Sequence, residues 1–450
     1  MSAVFVHVSD IHFGQERDES IHIHDDVKEQ LIVDAAEVIM GLSNGTAQGI
    51  LVSGDIAYSG AWEQYEAAGK WLDELAAKIG CPIHRVQMVP GNHDMNREKL
   101  SIGGSQLLDY IRAGGPTEYE KVISNAHDRA TLLARFEDYS RFSIGYNCGL
   151  NNEAKFDTNL RIEVGPGRWI RFVRLNSSLL CTGKEKHNPP ELMIGARQFP
   201  IPRNAGEENV VLVHHPLHWY KDAEGVRQYV RSRARVLISG HEHDPKVSVD
   251  EVGNGCDVLM LAAGAAVPFK SDDVYTYTYN VIEFDWDDET DQLAVTIHPR
   301  AWNPGQTCFE ADEARLGGKK PRFTLGSPNF RKCTPLQTEA AGEEAVMPAE
   351  PIAELVPAES TGPQEEEEMA PVPPLAEGYE LALLRFFRDL VESERLRILV
   401  ELDAIPAEFD ERMTQGVERR LFEWLANEGR LPDVISMIEK LIAERNGGNT

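Results

Sequence analysis

Val86-Gln87-Met88-Val89-Pro90-Gly91-Asn92-His93-Asp94 is the stretch whose reading decides the fold. A short apolar run stops at a Pro-Gly turn and then presents an amide, an imidazole and a carboxylate in succession. That is how a strand hands polar ligands to a site at its carboxyl end. Four further clusters repeat the arrangement: Asp10-Ile11-His12, Gly54-Asp55, His214-His215 and Gly240-His241-Glu242-His243, each closing an apolar run.

Outward from these clusters the chain alternates. Residues 3 to 9 form a β-rich run ending at Asp10, and Gly14 makes the following bend cheap. Apolar residues at Val27, Leu31, Ile32, Ala35, Val38, Ile39 and Leu42 keep a helical period. Gly49 to Val52 is apolar throughout, as a buried parallel strand is. A helix over Trp62 to Ile79 and a strand over Arg85 to Val89 follow. This β-α-β-α-β order predicts an α/β layered core. Residues 95 to 160 break the rhythm with helical stretches at Ser105 to Arg112 and His127 to Ser143, and they hold no ligand-like cluster. They are expected to be a helical cap inserted over the site, where substrate range is set. Strands resume at Trp169 to Leu175, Val210 to Val213, Ala234 to Ser239, Val258 to Ala262, Tyr277 to Phe284 and Leu293 to Ile297, a second sheet packed on the first.

The 450 residues suggest two or three domains, and a 42% hydrophobic content suffices for a large core. A net charge of -28 argues against a sequence-independent grip on nucleic acid, although nucleic acid stays open as a substrate. The acidity is concentrated: Gln337 to Glu377 holds eleven Glu and no Lys, Arg or Asp. The domain reading is a first unit over 1–335, a disordered acidic Pro/Ala/Glu linker over 336–377, and a helical module over 378–450. In that module Leu381, Leu384, Phe387, Leu390 and Val391, then Leu421, Phe422, Trp424 and Leu425, then Val434, Ile435, Ile438, Leu441 and Ile442 keep helical spacing. Six cysteines without a CxxC pair fit neither a disulfide framework nor a zinc ribbon. Val4 to Val8 already reads as a strand, leaving no room for an export signal, and no run of about 18 apolar residues could cross a membrane. The expected location is cytoplasmic.

Together the five clusters, over residues 1 to about 300, resemble the calcineurin-like metallophosphoesterases. The resemblance implies a two-sheet α/β/β/α sandwich and a dinuclear metal site. Asp10, His12, Asp55 and His243 would hold one ion, and Asp55, Asn92, His214 and His241 the other, with Asp55 as bridge. Two such ions bridge a hydroxide, lower its pKa and bind phosphate oxygens during in-line attack. His93 would assist the leaving group, and Asp94 would orient His93 by accepting its other N–H. Imidazole, carboxylate and amide without thiolate suit manganese, iron, zinc or nickel better than magnesium or calcium, and manganese is the expected ion among them. The implied substrate is a phosphodiester: a nucleotide, a cyclic nucleotide or nucleic acid. A DNA nuclease, a protein phosphatase and a scaffold with a structural metal are the competing readings. A basic cap surface built from Arg112, Lys121, Arg129, Arg135 and Arg141 would favour the nuclease.

Residues 379 to 446, centred on Leu421 to Pro432, resemble the effector-associated, death-fold-like adaptor domains of bacterial conflict systems. That likeness implies a protein partner and a role in antiviral defence. A generic helical bundle serving a homodimer is the other reading. His22 and His24 either reach the site mouth or sit on an exposed loop. Trp219 and Tyr220 either line the pocket or pack in the core. His7, His84, His127, His187, His218 and His298 lack a partner pattern.

Overall fold

The computed structural model describes residues 2–16, 20–150, 160–252, 257–266, 277–333, 378–406 and 413–447. In chain order the elements are β1 (Ala3–Val8), α1 (Ser20–Met40), β2 (Gly49–Val52), α2 (Trp62–Lys78), β3 (Val86–Met88), α3 (Ile102–Gly114), α4 (Pro116–Ser124), α5 (Ala126–Leu133), α6 (Glu137–Gly145), β4 (Arg161–Gly165) and β5 (Arg168–Arg174). They continue with β6 (Glu207–Leu212), α7 (Ala223–Arg233), β7 (Ala234–Ser239), β8 (Lys246–Asp250), β9 (Val258–Ala262), β10 (Thr278–Asp287), β11 (Gln292–Asn303), β12 (Cys308–Ala311) and β13 (Arg322–Leu325). The last helices are α8 (Tyr379–Leu384), which runs into a π-helical turn at Arg385–Asp389, α9 (Glu392–Glu401), α10 (Gln415–Asn427) and α11 (Leu431–Gly447).

Two sheets stack. The first has the order β12-β11-β10-β1-β2-β3, with β13 also on β11, and the second the order β4-β5-β6-β7-β9-β8. Period-2 alternation decides which side chains fill which layer. Along β1, Val4, Val6 and Val8 join Leu31, Ala35 and Leu72 of the helices, while Ala3 and Phe5 enter the layer between the sheets. There Phe5, Phe172 and Phe284 meet edge to face at centroid distances of 5.0 to 6.1 Å. In the second sheet, Val211 and Leu237 pack with Val226 and Val230 of α7, while Val210, Leu212, Val236 and Ile238 face inward. The fold is therefore the α/β/β/α sandwich, with a helical region at its C-terminal end.

Two expectations change. Strands β10 and β11, expected in the second sheet, belong to the first, where β10 pairs antiparallel with β1. Helix α1 starts at Ser20, because His24, Val27 and Leu31 continue one buried stripe, so His22 and His24 are helical and not on a loop. The inserted helices α3 to α6 flank the core. Tyr119 donates to Ile194 O (3.2 Å), Arg197 pairs with Glu120 (2.8 Å) and Lys221 donates to Arg112 O (2.8 Å), which tie the insertion to loops beside the sandwich. The expected linker, and residues 151–159 of the expected cap, lie outside the described residues.

The C-terminal helices close their own core around Tyr379, Leu383, Phe386, Phe387, Phe422, Leu425 and Ile438. They also dock on the sandwich. Leu384 enters the core beneath α2 and α6, Ile144 enters the helical module, and Gly145 lies so close that an added Cβ would sit 3.3 Å from Leu384. Arg388 bonds Asp73 (2.7 Å) and Tyr146 (3.4 Å), Glu380 meets His84 (3.2 Å) and Arg85 (3.4 Å), and Arg419 bonds Asn147. Burial raises the Glu380 carboxyl, but the His84 hydrogen bond and the Arg85 charge outweigh it and hold the group below its ordinary 4.5.

Arg388→Ala removes hydrogen bonds to a charged group, each worth about 1.5–3 kcal/mol, and should loosen the docked module, seen as faster limited proteolysis. Because Glu380 is depressed in the folded chain, its contribution is full above its ordinary 4.5 and is lost as pH falls through the lower folded value. Protease resistance of wild type should decline over that acid window. Unchanged digestion in both experiments would show that these contacts do not hold the module.

Candidate metal centre

Each singled-out cluster begins within a few residues of a strand end: Asp10 and His12 after β1, Asp55 after β2, Asn92 and His93 after β3, His214 after β6, His241 and His243 after β7. Strands β1, β2 and β3 run parallel, as do β6 and β7, and the loops converge at one edge. The backbone there is bent into the left-handed region. Asp10, His12, Asp55, His241 and His243 have φ of 54, 53, 54, 73 and 55°. Such conformations cost a non-glycine residue roughly 1–3 kcal/mol each and persist where the surroundings over-determine them. Close approach needs two glycines: a Cβ on Gly54 would lie 2.3 Å from His214 Nδ1, and one on Gly91 would lie 2.0 Å from Asp55 Oδ1.

Asp55 stands in the middle. Its Oδ1 accepts the His93 backbone N–H (2.7 Å), and its Oδ2 lies 3.3 Å from His12 Nε2 and 3.4 Å from His214 Nε2. Asp10 Oδ1 lies 3.2 Å from His243 Nε2, and Asp10 Oδ2 accepts from Ser9 Oγ (2.5 Å) and His241 N (3.2 Å). Asn92 Oδ1 is 3.2 Å from His214 Nε2. Ligand atoms of Asp10, His12 and His243 lie within 4.8 Å of one another, as do those of His214, His215 and His241. Asp55 joins both sides, through the groups Asp10-Asp55-His214 and His12-Asp55-His93.

This donor set fits cations. His214 Nδ1 faces the Ser53 carbonyl at 2.7 Å, and a carbonyl only accepts, so Nδ1 carries the hydrogen. In the neutral ring the Nε2 lone pair then points at two oxygens, of Asp55 and Asn92, a convergence of acceptors that a positive charge resolves. Without metal a proton serves: burial pulls the His214 imidazole down, but the charges of Asp55 and Asp10 hold it up at about 9. Burial likewise raises Asp10 and Asp55, yet His243 and His214 respectively outweigh it and keep both well below the carboxylate range. Among the described residues no Lys or Arg pairs with either carboxylate.

One expected contact is corrected. Asp94 does not accept from His93. Its carboxylate turns inward and takes Gly91 N (2.9 Å), Ile56 N (3.2 Å), Ala57 N (2.9 Å) and Tyr65 OH (3.1 Å), bracing the β2 and β3 loops together. His93 Nδ1 donates to the Tyr58 carbonyl (2.7 Å), because Tyr58 lies on the cavity wall where the ring can reach it, its own ring 5.3 Å from that of His93. Burial raises the Asp94 carboxyl to about 6, assisted by the Asp55 charge, and lowers the His93 imidazole.

The cavity at the site holds about 340 Å³ and is lined by His12, Gln15, Asp55, Tyr58, Asn92, His93, His241 and His243. Among the described residues no inserted helix lines it. Tyr58 and Gln15 were not singled out in the sequence, although each follows a strand-end ligand by three residues. His215 bonds Ser177 Oγ through Nδ1 (2.8 Å), and its ring lies 4.3 Å from that of His241. Trp219 sets its ring against His241 (4.4 Å) and donates to Glu242 (3.1 Å), and Tyr220 is buried with its hydroxyl on His215 O. His22 is exposed and His24 is buried beside Tyr277. His7, His84, His218 and His298 have local partners, respectively Ser53, Glu380, Glu242 and Glu283.

A model of the calcineurin-like phosphoesterase family matches residues 3–245, over half of the 450-residue chain. The chain belongs to this family. A second model, the GTPase-associated adaptor domain, matches residues 378–440. An uncharacterized metallophosphoesterase-like protein of Bacillus subtilis, YydB, is 23% identical over 280 residues, covering 59% of this chain. The chain spans about half, 54%, of that relative's length. Among solved structures, a Vps29 mutant from Entamoeba histolytica is 15% identical with a TM-score of 0.31, over 72% of this chain and 99% of that one. The purple acid phosphatase PPD1 of yellow lupin is 10% identical with a TM-score of 0.37, over 71% of this chain and 56% of that one. The phosphoesterase family typically binds divalent metals, and its His/Asp clusters are present here. No described helix is long and apolar enough to cross a membrane.

An ion that binds only the folded chain stabilises it by about 2.7 kcal/mol at a hundredfold excess over its dissociation constant. Thermal unfolding should therefore rise with added manganese and fall with a chelator, and Asp55→Asn should remove most of the response. Equal curves with metal and chelator would contradict a metal centre here.

Proposed function

We propose that the chain is a dinuclear-metal-dependent phosphodiesterase acting on small nucleotide or cyclic-nucleotide diesters in the cytoplasm. The observation that carries this reading is Asp55, whose Oδ2 stands 3.3 Å from His12 Nε2 on one side and 3.4 Å from His214 Nε2 on the other. In this reading Asp10, His12, Asp55 and His243 hold one ion, and Asp55, Asn92, His214 and His241 the other. Manganese is the first choice, then iron, zinc or nickel. Bound ions supply charge neutralisation at the phosphoryl oxygens and an acidified water.

The protein's own groups do the rest. His93 is fixed by its Nδ1–H on the Tyr58 carbonyl, so its Nε2 is the atom that delivers a proton to the departing ester oxygen. Tyr58 and Gln15 offer a ring and an amide to the leaving group. Asp94 acts by bracing backbone, not by touching His93.

Substrate size favours a small diester, since about 340 Å³ suits a small molecule. The basic residues that would favour a nuclease are mostly engaged within the insertion, and one of them is buried. Arg112 bonds Leu180 O, Lys121 pairs with Glu118, Arg129 bonds Ile123 O, Arg135 is buried, and Arg141 lies over the Trp62 ring at 3.5 Å. The adaptor match supports recruitment of the enzyme to a protein partner through residues 378–440, with a GTPase-bearing protein as the class its description names. Such recruitment accords with an effector role in antiviral defence.

The test is hydrolysis, with manganese, of 3′,5′- and 2′,3′-cyclic nucleotides, an aryl phosphodiester, and single- and double-stranded DNA. His93→Asn should lower kcat on the small diesters by about 10²–10⁴-fold with metal content unchanged. Wild-type turnover of DNA alone would make the chain a nuclease, and an unaffected His93→Asn would remove His93 from the chemistry.

A further inference from the structure

Arg135 is 1% exposed, one of the two largest fully buried side chains, and among the described residues no carboxylate pairs with it. A buried guanidinium is costly unless its donors are satisfied. Here carbonyls satisfy them. Nη1 donates to Cys181 O (2.5 Å) and contacts Met95 Sδ (3.4 Å), Nη2 donates to Leu179 O (2.6 Å), and Nε donates to Leu132 O (3.3 Å). Arg112, also from the insertion, takes Leu180 O (2.8 Å) between them. Three consecutive carbonyls of the turn after β5 are thus held by two arginines of the inserted helices.

That turn touches the site on both sides. Ser178 Oγ donates to Pro90 O (2.9 Å), just before Gly91-Asn92-His93-Asp94, and Ser177 Oγ bonds His215 Nδ1 (2.8 Å), next to His214. Past His93, Met95 meets the guanidinium and Asn96 N donates to the Arg135 carbonyl (2.8 Å). The His93 segment is therefore tied at Pro90 through the turn and at Met95 and Asn96 through Arg135 itself. One end of the clasp belongs to the first sheet's β3 loop and the other to the second sheet's β5 loop.

We infer that Arg135 is a positioning residue for His93: its clasp across the two sheets fixes where the leaving-group proton donor stands. The inference rests on the proposed role of His93. In that step the oxygen of water bonds to phosphorus and its proton is released to solvent, the bond from phosphorus to the ester oxygen breaks, and the Nε2 proton of the His93 imidazolium passes to that oxygen, leaving a neutral ring with Nδ1–H on the Tyr58 carbonyl. A misplaced donor penalises poor leaving groups most, because a good one departs without a proton. This separates positioning from general destabilisation, which lowers all substrates alike.

The experiment measures kcat and KM for wild type, Arg135→Lys and His93→Asn, with manganese, on aryl phosphodiesters graded from dinitrophenyl through nitrophenyl to phenyl. Lysine keeps the buried charge but cannot span both Leu179 and Cys181 carbonyls in one plane. Arg135→Lys is expected to lose roughly 10- to 100-fold in kcat on the phenyl ester, little on the dinitrophenyl ester, with KM and bound metal unchanged, following the graded pattern of His93→Asn. Should Arg135→Lys fail to fold, Ser178→Ala opens the other tie, leaves Arg135 in place, and must show the same graded loss. A graded loss in His93→Asn with a uniform loss or none in the clasp variants overturns the positioning role alone. No graded loss in His93→Asn, or no wild-type turnover of any ester, overturns the reading of His93 and the inference with it.

Discussion

The structure depends on one buried carboxylate, Asp55. It follows β2 in the first sheet, its Oδ1 takes a backbone N–H from the β3 loop, and its Oδ2 faces imidazoles that follow β1 in the same sheet and β6 in the other. Around it the chain accepts left-handed backbone at five non-glycine positions and glycine at 54 and 91 where no Cβ fits. A site built this way is over-determined by its strands: the candidate side chains are placed by the ends of parallel runs whose register is set by pairing, not by loop choice. The convergence of acceptors on the His214 ring calls for positive charge, which a proton or a bound cation can supply.

Around this centre lie three braces of different kinds. Asp94 joins the β2 and β3 loops through backbone amides, Trp219 steadies His241 by its ring edge and Glu242 by a hydrogen bond, and the insertion grips the turn after β5. The C-terminal helices add a fourth contact from farther away. Leu384 and Arg388 bear on α6 and Tyr146, Phe142 of α6 stacks on Tyr65 at 5.2 Å, and the Tyr65 hydroxyl reaches Asp94. The adaptor domain is thus seated on the same packed helices that hold the site's backbone.

The α/β alternation and the candidate clusters were legible because each cluster closes an apolar run, and the two-sheet sandwich followed from the family resemblance those clusters carry. What was illegible is what three dimensions decide. Nothing near Asp94 in sequence says that its carboxylate turns to Ile56 and Ala57, or that the Tyr58 carbonyl takes its place beside His93. Strands β4, β8, β12 and β13 were missed because they are short and largely polar at sheet margins, where half-exposed residues blur the alternation. The insertion's helices were visible, but their place beside the core follows from tertiary contacts such as Tyr119 to Ile194. The docking of the last helices was invisible because Leu384 and Ile144 each read as core of their own unit.

The central claim is that Asp55 joins two metal ions. Anomalous diffraction from crystals grown with manganese tests it most directly. The account predicts two peaks flanking the Asp55 carboxylate, one among Asp10, His12 and His243 and the other among Asn92, His214 and His241. A single peak, or none at Asp55, would contradict it.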